Sequence, residues 1–296
     1  MSSLRTLTDD MQHYHEAFDV YDRVADRHNV LGNWMDTKLR EIAKGLDVNV
    51  TGHEALRVLS VGPGEGSIEC RVLRVLYDSL EPRSQVHTTV VEPVAEMVAQ
   101  FKARVAAQIP QLPGMTYDWR TQTLEEFQAT TGNDTKFHFI SSVHSIYYVP
   151  DLEASIKDLY DRLEPGGMML IIVVSGDCGM GPIWKSFPHL QSTRGHYPTS
   201  TEIQAACANQ GIPISQEISI PVRSDITCCF GQPQDLTEDG RLLLDFFAHV
   251  IDFVQDAPPS LQQEIRDFLA SDKCSKRGDG GKVLFIGDWK AFVFRR

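Results

Sequence analysis

Three groups of residues in this 296-residue chain have the types and spacing that chemistry needs. The first is Gly62-Pro63-Gly64-Glu65-Gly66, directly after the apolar run Leu56–Val61. Glycines at alternate positions let the backbone approach a ligand closely, and the helix expected from about Ser67 to Tyr77 points its N-terminal amides at the same place. The second is Glu92, closing a further apolar run, Val86–Glu92. An acidic residue there can accept hydrogen bonds from both hydroxyls of a ribose, and Pro93 after it sets the direction of the chain. The third is Ser142-Val143-His144-Ser145-Ile146-Tyr147-Tyr148-Val149, which offers an imidazole and two phenols at the end of a fourth apolar run. In open α/β sheets ligands bind outside the carboxyl ends of the strands, so all three groups should line one pocket.

The spacing of the turn narrows the ligand. A dinucleotide fingerprint is G-x-G-x-x-G, whereas this turn reads Gly-x-Gly-x-Gly. A carboxylate at Glu65 opposes a pyrophosphate, so a cationic or zwitterionic adenosine compound suits the turn better. S-adenosylmethionine, with its sulfonium, is that compound. Gly62, Gly64 and Gly66, an acidic end on the second strand and a buried fifth strand together form the class I methyltransferase pattern. Met97 and Val143 read as apolar walls of the cofactor site.

The elements that must position these groups follow from periodicity. From Leu56 onward strands alternate with helices, which predicts an α/β, Rossmann-like fold with a mainly parallel sheet. Strands are expected at 56–61, 86–92, 115–119, 136–142 and 168–174, the last a continuous apolar run buried on both faces. Pro93 is suited to the first position of the helix Ala95–Val105, and Glu164-Pro165-Gly166-Gly167 to a tight turn. A sixth strand is expected at 214–222. The final residues 282–294 read as two antiparallel strands around Gly287-Asp288, completing a seven-stranded sheet with a C-terminal hairpin. Ahead of the sheet, Tyr14, Phe18, Tyr21 and Val24 form one apolar stripe in a helical region over 9–45. Arg27-His28-Asn29 interrupts this stripe, Gly32-Asn33 marks a bend, and Asp47–Glu54 is a polar linker. The chain is thus expected to be one domain: a helical substrate cap (1–50), a cofactor core (55–175) and a substrate-side half (176–296). Within that half, two helices are expected at 239–253 and 260–270.

Composition removes other functions. Net charge is −12, with no cluster of Lys and Arg, which argues against a nucleic-acid partner. No apolar run approaches the ~20 residues of a membrane span, and Met1–Thr6 lacks the apolar core of a secretory signal. Six scattered cysteines show no metal-type spacing, so no metal and a reduced, cytoplasmic setting are expected. No oligomerisation stripe is visible, and a monomer acting on a small molecule is the expectation.

Val58-Leu59-Ser60-Val61-Gly62-Pro63-Gly64-Glu65-Gly66, Val91-Glu92-Pro93-Val94-Ala95-Glu96, Tyr147-Tyr148-Val149, Met169–Gly176 and Gly281-Lys282-Val283-Leu284-Phe285 resemble the histamine N-methyltransferase family, nearly from end to end of the chain. Phe18, His28, Met35-Asp36 and Ala257-Pro258-Pro259 match as well. The resemblance implies S-adenosyl-L-methionine as cofactor, held by Gly62, Glu92 and Val143. A cofactor-binding glutamine of the family becomes Met97, and a serine falls at about Thr123 or Leu124. On the acceptor side a glutamate becomes Arg27, a glutamine becomes His144, an asparagine becomes Gly287 and a tryptophan becomes Met180. The aromatic walls are kept as Tyr14, Phe18, Tyr147, Tyr148, Trp184 and Phe246.

What this implies is N-methylation of a small imidazole-containing amine or amino-acid derivative. His144 is expected as the polar partner of the acceptor ring, with Tyr147 and Tyr148 as walls. A guanidinium at position 27 suits a carboxylate, as in histidine or a histidine dipeptide, better than an ammonium. Two other readings stay open on these residues: an O- or other small-molecule methyltransferase with a rebuilt pocket, and a non-catalytic binding protein that keeps the fold.

Overall fold

Apolar runs flanked by glycine, proline and acidic turns become strands, and the stretches between them become helices. The computed structural model describes residues 4–46, 55–79, 85–108, 114–132, 134–190 and 197–296; the linker expected at 47–54 lies outside them. The chain begins with α1 (Met11–Val24), α2 (Arg27–Trp34), a π-helical turn at Met35–Leu39 and α3 (Arg40–Ala43). It continues through β1 (Leu56–Val61), α4 (Ser67–Ser79), β2 (Val86–Val91), α5 (Ala95–Gln108), β3 (Met115–Arg120) and α6 (Leu124–Thr130). Next come β4 (Phe137–Val143), α7 (Leu152–Asp161), β5 (Leu163–Val174), α8 (Met180–Ser186), α9 (Ser200–Asn209), β6 (Gln216–Ile220) and β7 (Arg223–Asp225). The last elements are α10 (Glu238–Ala248), α11 (Phe253–Asp256), α12 (Pro259–Ala270), β8 (Ser275–Arg277), β9 (Val283–Ile286) and β10 (Trp289–Arg295). Among the described residues no helix is long and apolar enough to cross a membrane.

The described residues fall into two compact units. The first comprises Leu31–Val173, Glu202–Ser219 and Lys290–Arg296 and contains a seven-stranded sheet of order β3-β2-β1-β4-β5-β10-β6. β1 is parallel to β2 and β4, β2 to β3, and β4 to β5. This is the α/β, class I arrangement that the alternation of elements predicts. Met168 through Val173 are fully buried in the middle of the sheet, each side chain contributing roughly 1.5–3 kcal/mol of apolar burial. Glu164–Gly167 bulge out where the β4–β5 register shifts, instead of forming a separate turn before the strand.

The N-terminal residues of this unit differ from expectation in one respect. Gly32-Asn33 is not a bend but lies inside α2. A Cβ on Gly32 would lie 2.8 Å from the guanidinium carbon of Arg71, so the glycine makes room for that side chain. Arg71 in turn pairs with Asp36. Pro93 also departs from its expected place, since α5 begins two residues later at Ala95.

The second unit comprises Met1–Val30, Val174–Thr201 and Ile220–Trp289. Its core joins α1 and α10 with Ile183, Phe187, Phe253, Ile265 and Phe285. Helix α1 ends at Val24 rather than at Arg27, because Ala25 forms an antiparallel bridge to Ser224 and Asp26 is held at both its N–H and its carboxylate by Arg223. The helix expected over 239–253 is broken, with His249 and Asp252 at φ 59 and 52. β9 pairs with β7 and β8 in a separate three-stranded sheet, while β10 belongs to the seven-stranded one. Gly287-Asp288 therefore passes the chain from one sheet to the other, where a simple hairpin turn was expected.

One buried carboxyl in the sheet unit has a measurable signature. Ser60 and Ser141 are register partners on β1 and β4, and both hydroxyls donate to Oε1 of Glu69 in the first turn of α4. Burial pushes the Glu69 carboxyl above its ordinary value of 4.5, with the two serines opposing the shift. A carboxyl raised on folding contributes stability that is full below its unfolded pKa and is lost as pH rises through the folded one. Glu69→Gln is therefore expected to gain stability relative to wild type as pH rises from 4.5. Urea-midpoint differences that stay constant from acid to neutral pH would contradict this.

Candidate active site

The glycine turn is built by close approach at its two outer glycines. Gly62, Gly64 and Gly66 have φ of 59, 58 and 81, a region that side-chain-bearing residues rarely adopt. A Cβ on Gly62 would lie 2.5 Å from that of Ser145, and one on Gly66 would enter the Phe101 ring. At Gly64 nothing lies within 4 Å of the corresponding position, so the middle of the turn offers open backbone. Pro63 closes the turn by accepting from the Gly66 N–H at 3.1 Å.

Glu92 is buried immediately after β2. Its Oε2 accepts from the Gly64 N–H at 3.0 Å, and its Oε1 from the Val94 N–H at 3.0 Å. Each oxygen takes one amide and keeps a second lone pair, so the carboxylate has capacity for two further donors. The two hydroxyls of an adenosine ribose match that capacity. Together with the open backbone at Gly64, these residues fit the cofactor.

Glu65 departs from its expected role. Its carboxylate pairs with Arg104 and accepts from the Ser67 N–H. Against the opposing effect of burial, Ser67 and Arg104 hold the carboxyl below its usual range. Its charge is balanced within the protein, so repulsion of a pyrophosphate is not what selects the ligand here. The expected cofactor walls are partly open: Met97 is half-buried in α5, Pro93 is exposed, and Val143 is half-buried at the end of β4. Thr123 caps α6, its hydroxyl accepting from the Glu126 N–H at 3.2 Å, which leaves the hydroxyl proton for another partner.

β4 runs out into the polar segment. His144 adopts φ 54, and its Nδ1 lies 2.9 Å from the Tyr147 hydroxyl with the two rings nearly parallel at 23°. Tyr148 is 68% exposed and meets Tyr147 edge-on. The structure thus brings His144 and Tyr147 together and turns Tyr148 outward.

The acceptor-side candidates Tyr14, Phe18, Arg27, Trp184, Phe246 and Gly287 all belong to the second unit. Tyr14 stacks on Phe18 at 6.0 Å, Phe18 lies 6.0 Å from Phe246, and Phe246 stacks on Tyr21 at 4.6 Å. The Arg27 guanidinium lies over the Phe18 ring at 4.7 Å, and its Nε donates to Asp22. Its terminal amino groups make no hydrogen bond among the described residues. Asp22 also contacts His28 at 2.9 Å; against the effect of burial, His28 and Arg27 hold its carboxyl below the usual range. Burial pushes the Tyr21 phenol up to about 12, so it stays protonated as a neutral donor. A Cβ on Gly287 would lie 3.1 Å from the Tyr21 hydroxyl. The Trp184 ring lies 5.5 Å from that of Tyr197.

Sequence reasoning missed Asp22, Tyr21 as a polar group and Ser145. The run Ser141-Ser142 followed by Ser145 was the one signal for the last.

Comparison with known proteins agrees with this geometry. A family model described as a methyltransferase domain matches residues 11–216. Histamine N-methyltransferase B of Xenopus laevis is 32% identical, covering 99% of this chain and 98% of that protein. Carnosine N-methyltransferase 2 of Gallus gallus is 29% identical over 98% of this chain and 88% of that protein. Among solved structures, a loganic acid methyltransferase shares the fold with a TM-score of 0.52 at 8% identity, covering 91% of this chain and 94% of that one. A glycine turn with an acidic second-strand end, found in a chain similar throughout its length to these enzymes, has one reading: the protein is an S-adenosylmethionine-dependent methyltransferase and belongs to the histamine N-methyltransferase family.

Proposed function

We propose that the enzyme methylates a ring nitrogen of a small imidazole compound that carries a carboxylate, such as histidine or a histidine dipeptide. The observation that carries this reading is Arg27. Its guanidinium is fixed by Asp22 and the Phe18 face, and its two terminal amino groups make no hydrogen bond among the described residues. A planar fork held in that way matches a carboxylate and repels an alkylammonium. Asp22, already contacted by Arg27 and His28, is a poor substitute anchor for an amine. The similarity to both a histamine and a carnosine N-methyltransferase supports an imidazole acceptor.

S-adenosylmethionine supplies an electrophilic methyl group. Gly62, Gly64 and Glu92 hold its adenosine, with Pro63, Gly66, Pro93, Met97, Thr123 and Val143 around it. An imidazole with a pKa near 6.5 is largely unprotonated at neutral pH, so its ring nitrogen needs no activation to act as nucleophile. In the second unit Tyr14, Phe18 and Phe246 offer aromatic faces to such a ring. In the sheet unit His144, whose Nδ1 lies on the Tyr147 hydroxyl, offers an acceptor for a ring N–H. No covalent intermediate on the protein is required.

Two outcomes test this reading. Glu92→Gln removes a charged acceptor, and calorimetry is expected to show S-adenosylmethionine binding weakened ~10–100-fold, the worth of a charge-assisted hydrogen bond; an unchanged affinity would remove Glu92 from the site. Arg27→Glu is expected to lower kcat/KM for carnosine and raise it for histamine, shifting their ratio by at least ~10-fold. If the ratio stays as in wild type, Arg27 is not the acceptor's anchor.

A further inference from the structure

The serine that follows His144 touches the cofactor turn and the acceptor-side histidine at once. We propose that Ser145 is a positioning residue: it holds His144 in its left-handed conformation against the cofactor turn and so keeps the imidazole on the Tyr147 hydroxyl. The proposal rests on the reading of His144 as the acceptor's polar partner.

The geometry is specific. The Ser145 hydroxyl donates to the carbonyl oxygen of Val61 at 2.6 Å, the last residue before Gly62. Having one proton, it must accept from the Ser142 hydroxyl, 2.8 Å away on β4. The Ser145 Cβ fills the place where a Cβ on Gly62 would stand. Its own carbonyl receives the Tyr148 N–H at 3.3 Å, closing the short turn that carries Tyr147. Between these ties sits His144 at φ 54, where a histidine is uncommon, its N–H donating to Ile172 at 2.9 Å. Without the Ser145 hydroxyl the segment loses its bonds to Val61 on β1 and to Ser142 on β4, and keeps that of the His144 N–H to Ile172 on β5. The backbone at His144 is then free to relax, and the Nδ1 contact with Tyr147 at 2.9 Å goes with it.

Alanine keeps the Cβ that packs on Gly62 and removes only the hydroxyl. The test reads the tautomer of the His144 imidazole by proton–nitrogen correlation spectroscopy in wild type, Ser145→Ala, Ser142→Ala, Tyr147→Phe and the Ser145→Ala/Tyr147→Phe double variant. Ser145→Ala is expected to shift the His144 signature to that of Tyr147→Phe, with nothing further lost in the double variant. Ser142→Ala, which leaves the bond to Val61 in place, is expected to keep the wild-type signature. In turnover, Ser145→Ala is expected to lower kcat about tenfold while S-adenosylmethionine affinity is retained. If Ser145→Ala fails to fold, Ser145→Cys keeps the Cβ with a weaker donor and is expected to give an intermediate signature. A wild-type tautomer signature in Ser145→Ala, or in Ser145→Cys where that is the variant measured, would overturn the proposal. The spectroscopic readout needs no methyl acceptor, so a wrong acceptor assignment is seen separately in the turnover assays.

Discussion

The bond from the Gly64 N–H to the Glu92 carboxylate, 3.0 Å long, is the interaction on which the cofactor side depends. It joins the turn after β1 to the end of β2, the two neighbouring strands that the class I fold brings side by side. The turn reaches the carboxylate because its glycines sit at positive φ, packed against Phe101 at one end and Ser145 at the other. Any side chain at Gly62 or Gly66 would push the turn away from Glu92. The charge proposed to bind ribose is therefore also the charge that shapes the turn.

The second unit obeys a different logic. In the second unit a cation is held over an aromatic ring and braced by one carboxylate. Asp26 and Arg223 fasten the start of α2 to β7, and the Arg223–Asp288 pair ties β7 to the residues after β9. Arg27 is thus anchored through backbone as well as side chain. An arginine this constrained loses little freedom on meeting a carboxylate, which is the physical basis of the proposed acceptor preference.

The strands were legible because strands buried on both faces leave long apolar runs; β1 was read to the residue, and β2 and β4 within one. The helical interruptions were not, since they arise from distant partners. Ala25 leaves the helix to pair with Ser224, and Gly32 stays inside it to admit Arg71. The turn at Gly287-Asp288 looked like a hairpin because local residues cannot show that β9 and β10 enter different sheets. In the site, glycines and Glu92 were legible from spacing alone. Glu65 was misread because its partner Arg104 lies 39 residues away. Asp22 escaped notice because its link to Arg27 crosses a helix end, and Ser145 because a serine's role depends wholly on what its one proton reaches.

The most direct measurement is a crystal structure of the protein with S-adenosylhomocysteine. It is expected to show both ribose hydroxyls on the Glu92 carboxylate, with the adenosine against the Gly62–Gly66 turn. A nucleoside bound elsewhere, with Glu92 making no contact to the ribose, would contradict the account.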